Sequence, residues 1–82
     1  MMKASVYPNP PVRNVTINAE EDILRDKDIS LYNIKGELYQ IKMLKRLSSR
    51  SIQMDVSGLP GRVYLIRCKI ANGYKTFRFV KG

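Results

Sequence analysis

The sequence contains no histidine, no tryptophan and a single cysteine, Cys68, in 82 residues. Each absence removes a class of chemistry. Without imidazole there is no base to activate a serine or cysteine nucleophile, so Ser and Asp residues cannot complete a triad and Cys68 has no partner to deprotonate it. One thiol cannot form an internal disulfide, and no metal site can be assembled from thiols and imidazoles. No run of apolar residues approaches the roughly 18 needed to span a bilayer as a helix. Met1-Met2-Lys3 is followed by no apolar stretch and no small-residue cleavage site, so the chain as given carries no secretory signal peptide. Either it is an excised piece of a longer protein, which the extra Met suits, or it is not exported. Helical periodicity is missing throughout.

Acidic residues are also scarce: 7 Asp and Glu stand against 15 Lys and Arg, a net charge of +8. Such an excess favours polyanionic partners, whether nucleic acid, lipopolysaccharide or an acidic protein surface. A domain of this size buries only about 60–65% of the surface its unfolded chain exposes, which leaves a thin core and little room for a deep cleft.

What the chain does have is two-residue alternation punctuated by turn residues. Ala4–Tyr7 reads as an edge strand that ends in Tyr7-Pro8-Asn9-Pro10-Pro11, because proline lacks the N–H a central strand requires. Val15-Thr16-Ile17 and Ile29-Ser30-Leu31-Tyr32 alternate apolar and polar residues. Asn33-Ile34-Lys35-Gly36 suits a type I turn with Gly36 left-handed, and a return strand from Glu37 to Met43 would place Tyr39, Ile41 and Met43 on one face. Leu44–Ser51, basic and serine-rich, reads as a loop, and Ala19–Asp28 as a charged crossing with at most one helical turn. Ile52, Met54 and Val56 mark a half-buried strand, stopped by Gly58-Leu59-Pro60-Gly61. Tyr64, Ile66, Cys68 and Ile70 share one face of the strongest strand. Asn72-Gly73 would centre a type I′ turn into a last strand over Tyr74–Val80.

Strands this short and this regularly spaced predict an all-β, immunoglobulin-like antiparallel β-sandwich of about seven strands, in a single domain over residues 1–82. The expected core draws on Val6, Val15, Ile17, Ile29, Leu31 and Ile52, with Met54, Val56, Leu59, Tyr64, Ile66, Cys68 and Phe79. On the apolar face, Cys68 is expected to be an inert buried thiol. The glycines read as turn residues, because no helix follows any of them to form a phosphate cradle. Asp26-Lys27-Asp28-Ile29-Ser30 lacks the glycine and terminal acid of a calcium loop. Gly73–Val80 faintly echoes an RNA-binding strand, but that fold needs two helices the sequence does not supply, so no nucleic-acid partner is expected. No cofactor is expected either.

Three blocks carry a family resemblance. The first is Ser5-Val6-Tyr7-Pro8-Asn9-Pro10 leading into Val15-Thr16-Ile17. The second is Ile29-Ser30-Leu31-Tyr32-Asn33-Ile34-Lys35-Gly36-Glu37-Leu38. The third runs from Met54-Asp55-Val56-Ser57-Gly58-Leu59-Pro60 through Val63-Tyr64-Leu65-Ile66 to Phe79-Val80-Lys81. In order and spacing they resemble the C-terminal sorting domains of the Por (type IX) secretion system, with Tyr7, Pro8, Asn9, Pro10, Tyr32, Gly36, Leu59, Pro60, Gly61 and Tyr64 as the matching motif positions. Arg62 departs from the pattern, standing where the family usually has glycine. The resemblance implies a non-catalytic address, found in Bacteroidota, that takes an attached cargo from the periplasm through the outer-membrane translocon to the cell surface. It implies as partners that translocon, a sortase that removes the domain, and anionic lipopolysaccharide, to which the cargo becomes joined. Lys75, Arg78, Phe79, Val80, Lys81 and Gly82, in the last hairpin and tail, are the expected recognition residues. A different class of function, an accessory stabilising or glycan-binding module of a surface glycosidase or adhesin, would call for exposed aromatics that this sequence scarcely offers. The Pro-rich hinge after the first strand also makes a strand-swapped homodimer an expectation for the isolated domain.

Overall fold

Alternation becomes structure when one face of each strand can be buried, and the chain does this in two layers. In the computed structural model, which describes residues 4–7 and 13–81, eight strands form two antiparallel sheets. These are β1 (Ala4–Tyr7), β2 (Asn14–Ala19), β3 (Ser30–Asn33), β4 (Leu38–Tyr39), β5 (Leu44–Ser48), β6 (Ser51–Asp55), β7 (Val63–Ile70) and β8 (Gly73–Val80). The sheet orders are β1-β2-β6-β5 and β4-β3-β7-β8. This is the A-B-E-D against C′-C-F-G arrangement of an immunoglobulin-like sandwich.

The inner faces follow the pleat. Val15 and Ile17 stand opposite Met54 and Ile52 in the first sheet. Leu31 stands opposite Ile66, which in turn faces Phe77, in the second. All are buried, and with Tyr64, Cys68 and Phe79 they close the space between the layers. Val6 and Tyr7 lie on β1, which pairs with β2 of the same chain (Val6 opposite Ile17). Their side chains, and Pro8, Asn9, Pro10 and Gly82, fall outside the described residues. Leu59 is half-buried against the core rather than within it, and Ile23, Ile70 and Phe77 join the buried set.

Several local expectations change. The segment after Ser30 stays in its sheet only through Leu38–Tyr39, then leaves to reach the other layer. Met43 is therefore 63% exposed instead of sharing a buried face with Tyr39. Leu44–Ser48 is a strand, not a loop: Leu44 pairs with Met54 and Arg46 with Ile52, with an irregularity before Ser48. The hairpin between β7 and β8 closes on the pair Ile70–Gly73, so its centre is Ala71-Asn72. No described non-glycine residue has positive φ, so within this turn only Gly73 takes it, at 129°. The turn is therefore not type I′, in which both central residues need positive φ. Arg62 likewise avoids the left-handed region. The Asn33–Gly36 turn forms as expected, with Gly36 at φ 85° and its N–H donated to Asn33 O at 3.0 Å. Buried Asn33 accepts from the N–H groups of Lys35 and Glu37 through its side-chain oxygen, at 2.9 and 3.0 Å.

Arg46 explains both β5 and the crossing that precedes β3. It occupies an inward position on an edge strand, a placement that discourages strand addition from outside. Its guanidinium donates to Ile23 O and Leu24 O, both at 2.8 Å, and to Ser49 O at 3.2 Å. It also contacts Asp26 Oδ1 at 2.7 Å. Ile23 N–H reaches Ser49 O at 2.8 Å. One side chain thus ties the crossing, with its 3-10 turn Asp26–Asp28, to the β5–β6 turn. Arg46→Met should lower stability by about 1–3 kcal/mol in chemical denaturation, because several carbonyls lose their donor at once. Arg46→Lys should restore only part of it, since an ammonium lacks the planar fork.

Candidate functional site

The last hairpin is built by register. Strand β8 pairs with β7 along its full length, from Ile70–Gly73 to Val63–Val80. Alternate residues then face opposite ways. Phe77 and Phe79 point into the sandwich, while Tyr74, Thr76, Arg78 and Val80 point out.

Tyr64, near the start of β7, fixes the base of this hairpin. It is fully buried, and its hydroxyl donates to Pro60 O at 2.7 Å. A tyrosine that bonds back across the corner before strand F is a recurrent device of immunoglobulin-like sandwiches. Its ring meets Tyr39 edge-on with centroids 5.6 Å apart, and stacks on Phe79 at 5.5 Å. Burial raises its phenol above the ordinary value of 10.0, with the neighbouring Tyr39 adding to the shift. Its hydroxyl therefore stays a donor.

The corner itself is pre-shaped by Asp55, whose Oδ1 accepts from Ser57 N–H at 2.8 Å. That bond, then the Ser57 side chain and the more distant Lys42, hold the carboxyl below the usual 3.8. Leu59 N–H donates to Val56 O at 3.0 Å. The far end of the chain returns to the same place. Lys81 N–H donates to Arg62 O at 2.8 Å, and Lys81 Nζ donates to Leu59 O at 3.1 Å. The two carbonyls of Leu59-Pro60 thus receive the last lysine and the corner tyrosine, which gives these motif residues a physical role.

The expected recognition residues are divided by this geometry. Phe79 is only 4% exposed, within the core. Lys81 is 9% exposed and turned inward. Lys75 stands opposite Cys68, on the side of β8 away from Arg78. Arg78 and Val80 lie together on the outer face, exposed. Among the motif positions, Gly36 shapes the β3–β4 turn, while Tyr32 lies half-buried on the outer face beside Leu38 and Leu65. Sequence reasoning missed the inward turn of Lys81 and the grouping of Arg67 and Lys69 on Tyr74. The guanidinium of Arg67 lies 3.8 Å, and Lys69 Nζ 4.7 Å, from that ring's centroid. The alternation of β7 with β8 carried that second signal.

Cys68 is buried as expected, and desolvation pushes its thiol up to about 11, against a smaller opposing effect from Arg46. A thiol so protonated near neutral pH is a poor nucleophile. Among the described residues no group of three or more acidic or cysteine side chains is placed to hold a metal ion.

Compared with known proteins, residues 5–81 match the sequence model of the secretion system C-terminal sorting domain. No curated protein and no solved structure matched in the corresponding searches.

Tyr64→Phe isolates the corner bond. It should cost about 1–2 kcal/mol in a denaturant titration, because Pro60 O loses its donor while the ring contacts stay.

Proposed function

Because the chain belongs to the family of secretion system C-terminal sorting domains, whose members are type IX sorting signals, we propose that it acts as a non-catalytic passport for an attached cargo. The outer-membrane translocon reads the folded domain. A sortase then removes it, and the cargo is left at the cell surface, joined to anionic lipopolysaccharide. The observation that carries this reading is the family match, which covers residues 5–81.

The recognised segment is the final hairpin and tail: Lys75, Arg78, Phe79, Val80, Lys81 and Gly82. The placement of the side chains supports a division of labour. Arg78 and Val80 are outward and available for contact, whereas Phe79 and Lys81 set the position of β8 from within. A glycan-binding module would be better served by open aromatic platforms. Tyr74 is the one largely exposed aromatic ring among the described residues, and two cations lie against it.

Deleting the domain from the protein that carries it tests the proposal. The truncated cargo should accumulate in the periplasm and vanish from the surface, as followed by surface proteolysis and fractionation. Undiminished surface display would refute the sorting role.

A further inference from the structure

The charges are sorted by face. Every ion pair among the described residues uses Arg25, Arg46 or Arg50, against Asp28, Asp26 or Asp22. Five of the seven acidic residues fall between Glu20 and Asp28, in the crossing between the sheets. The outer face of the β4-β3-β7-β8 sheet is different. Its pleat presents Ser30 and Tyr32 from β3, Leu38 from β4, Leu65, Arg67 and Lys69 from β7, and Tyr74 to Val80 in alternation from β8. No strand position on it is Asp or Glu, and Arg67, Lys69 and Arg78 have no carboxylate within 4.0 Å among the described residues. Two of those cations are held side by side on one aromatic ring. Lys35 and Arg62 extend the positive charge where they line a shallow depression with Ile34 at the end of the sheet.

The exposed apolar groups of this face lie at its margins. Leu38 is 70% and Ile34 69% exposed, and Tyr74 and Val80 are also largely open. By register, Leu38 lies on the short edge strand, Tyr74 at the hairpin end and Val80 at the opposite end of β8. Arg67 sits between them on the interior strand β7, Arg78 on the edge strand β8 and Lys69 beside Tyr74, while Tyr32 and Leu65, both half-buried, occupy the middle. A protein–protein interface usually gathers its exposed apolar groups in a centre depleted of charge, whereas here they stand apart at the margins with cations among them. Cations covered by a protein partner would have to lose their water. In the headgroup layer of a membrane they stay hydrated and near phosphate, while peripheral aliphatic and aromatic side chains reach the acyl boundary.

We propose that this outer face docks on an anionic, phosphate-bearing lipid surface, with Arg67, Lys69 and Arg78 on the headgroups. Docking is reversible and sensitive to salt, since each Lys or Arg near such a surface strengthens binding by about fivefold and salt screens the attraction. It does not depend on the sorting reading. A domain whose deletion left export intact would still bind lipid, and a domain that failed to bind lipid could still be a sorting signal.

The test is co-sedimentation of the 82-residue chain with vesicles of phosphatidylcholine alone, and of phosphatidylcholine mixed with phosphatidylglycerol. Binding should be confined to the anionic vesicles and fall as salt is raised. Reversing two exposed charges on the face, Arg67→Glu with Arg78→Glu, should reduce the partition coefficient by more than about tenfold. The charge-matched control Lys27→Glu with Lys45→Glu, placed on the 3-10 turn and the opposite sheet, should retain most of the binding. Circular dichroism checks that both variants fold. Equal losses in the two variants would reduce the effect to net charge and overturn the assignment of the face, as would absence of binding. Capture of soluble polyglutamate without vesicle binding would assign the face to an acidic protein and also overturn the proposal.

Discussion

The buried ring and hydroxyl of Tyr64 are the contact on which the C-terminal half of the sandwich depends. In one side chain the protein satisfies a corner carbonyl, fills the middle of the core and meets aromatic rings from two further strands. The short strand β4 contributes Tyr39 to its edge, and β8 contributes Phe79 to its face. A thin core makes this concentration important. With 82 residues the domain cannot spread its stability over many layers, so a large aromatic near the centre carries much of it. The inward turn of Lys81 belongs to the same arrangement, because its ammonium closes on the carbonyl beside the one Tyr64 uses.

This construction suits a module that is read from outside. The two faces of β8 have separate tasks: Phe77 and Phe79 anchor the strand, and Arg78 and Val80 are displayed by it. The hairpin's shape is therefore set by the core, while the identity of the displayed residues is free of packing demands. The same separation leaves the outer sheet face charged and uncompensated, with the acidic residues gathered at the crossing. Neither arrangement calls for a cleft, and the one thiol in the core is held protonated by its burial.

Much of the fold was legible because β2, β3, β6, β7 and β8 each bury one face, so that period-two patterning survives in the residues themselves. Strand β5 was not, because its inward position is taken by Arg46, which breaks the apolar alternation and is satisfied by backbone carbonyls that sequence does not display. Ile23 was hidden for a related reason: with Leu24 it forms a lone apolar pair among charges, and what draws Ile23 inward is bonding to β5 and the β5–β6 turn. Met43 was misplaced because alternation was carried past the point where the chain leaves its sheet. The β7–β8 turn shifted by one residue, since Asn72-Gly73 announces a turn but the register of the strands decides its centre. At the candidate site, the hairpin could be read from the order of the motif blocks. The inward course of Lys81 could not, since it rests on the carbonyl of Leu59 from a distant part of the chain.

The central claim is that this fold is itself sufficient as an address. The most direct measurement is a transplant: residues 1–82 fused to the C-terminus of an unrelated periplasmic reporter, in cells with an intact type IX system and in cells lacking its translocon. The account predicts protease-accessible reporter at the surface of the first cells and retention in the periplasm of the second. Periplasmic retention in both, with the fused domain folded, would contradict it.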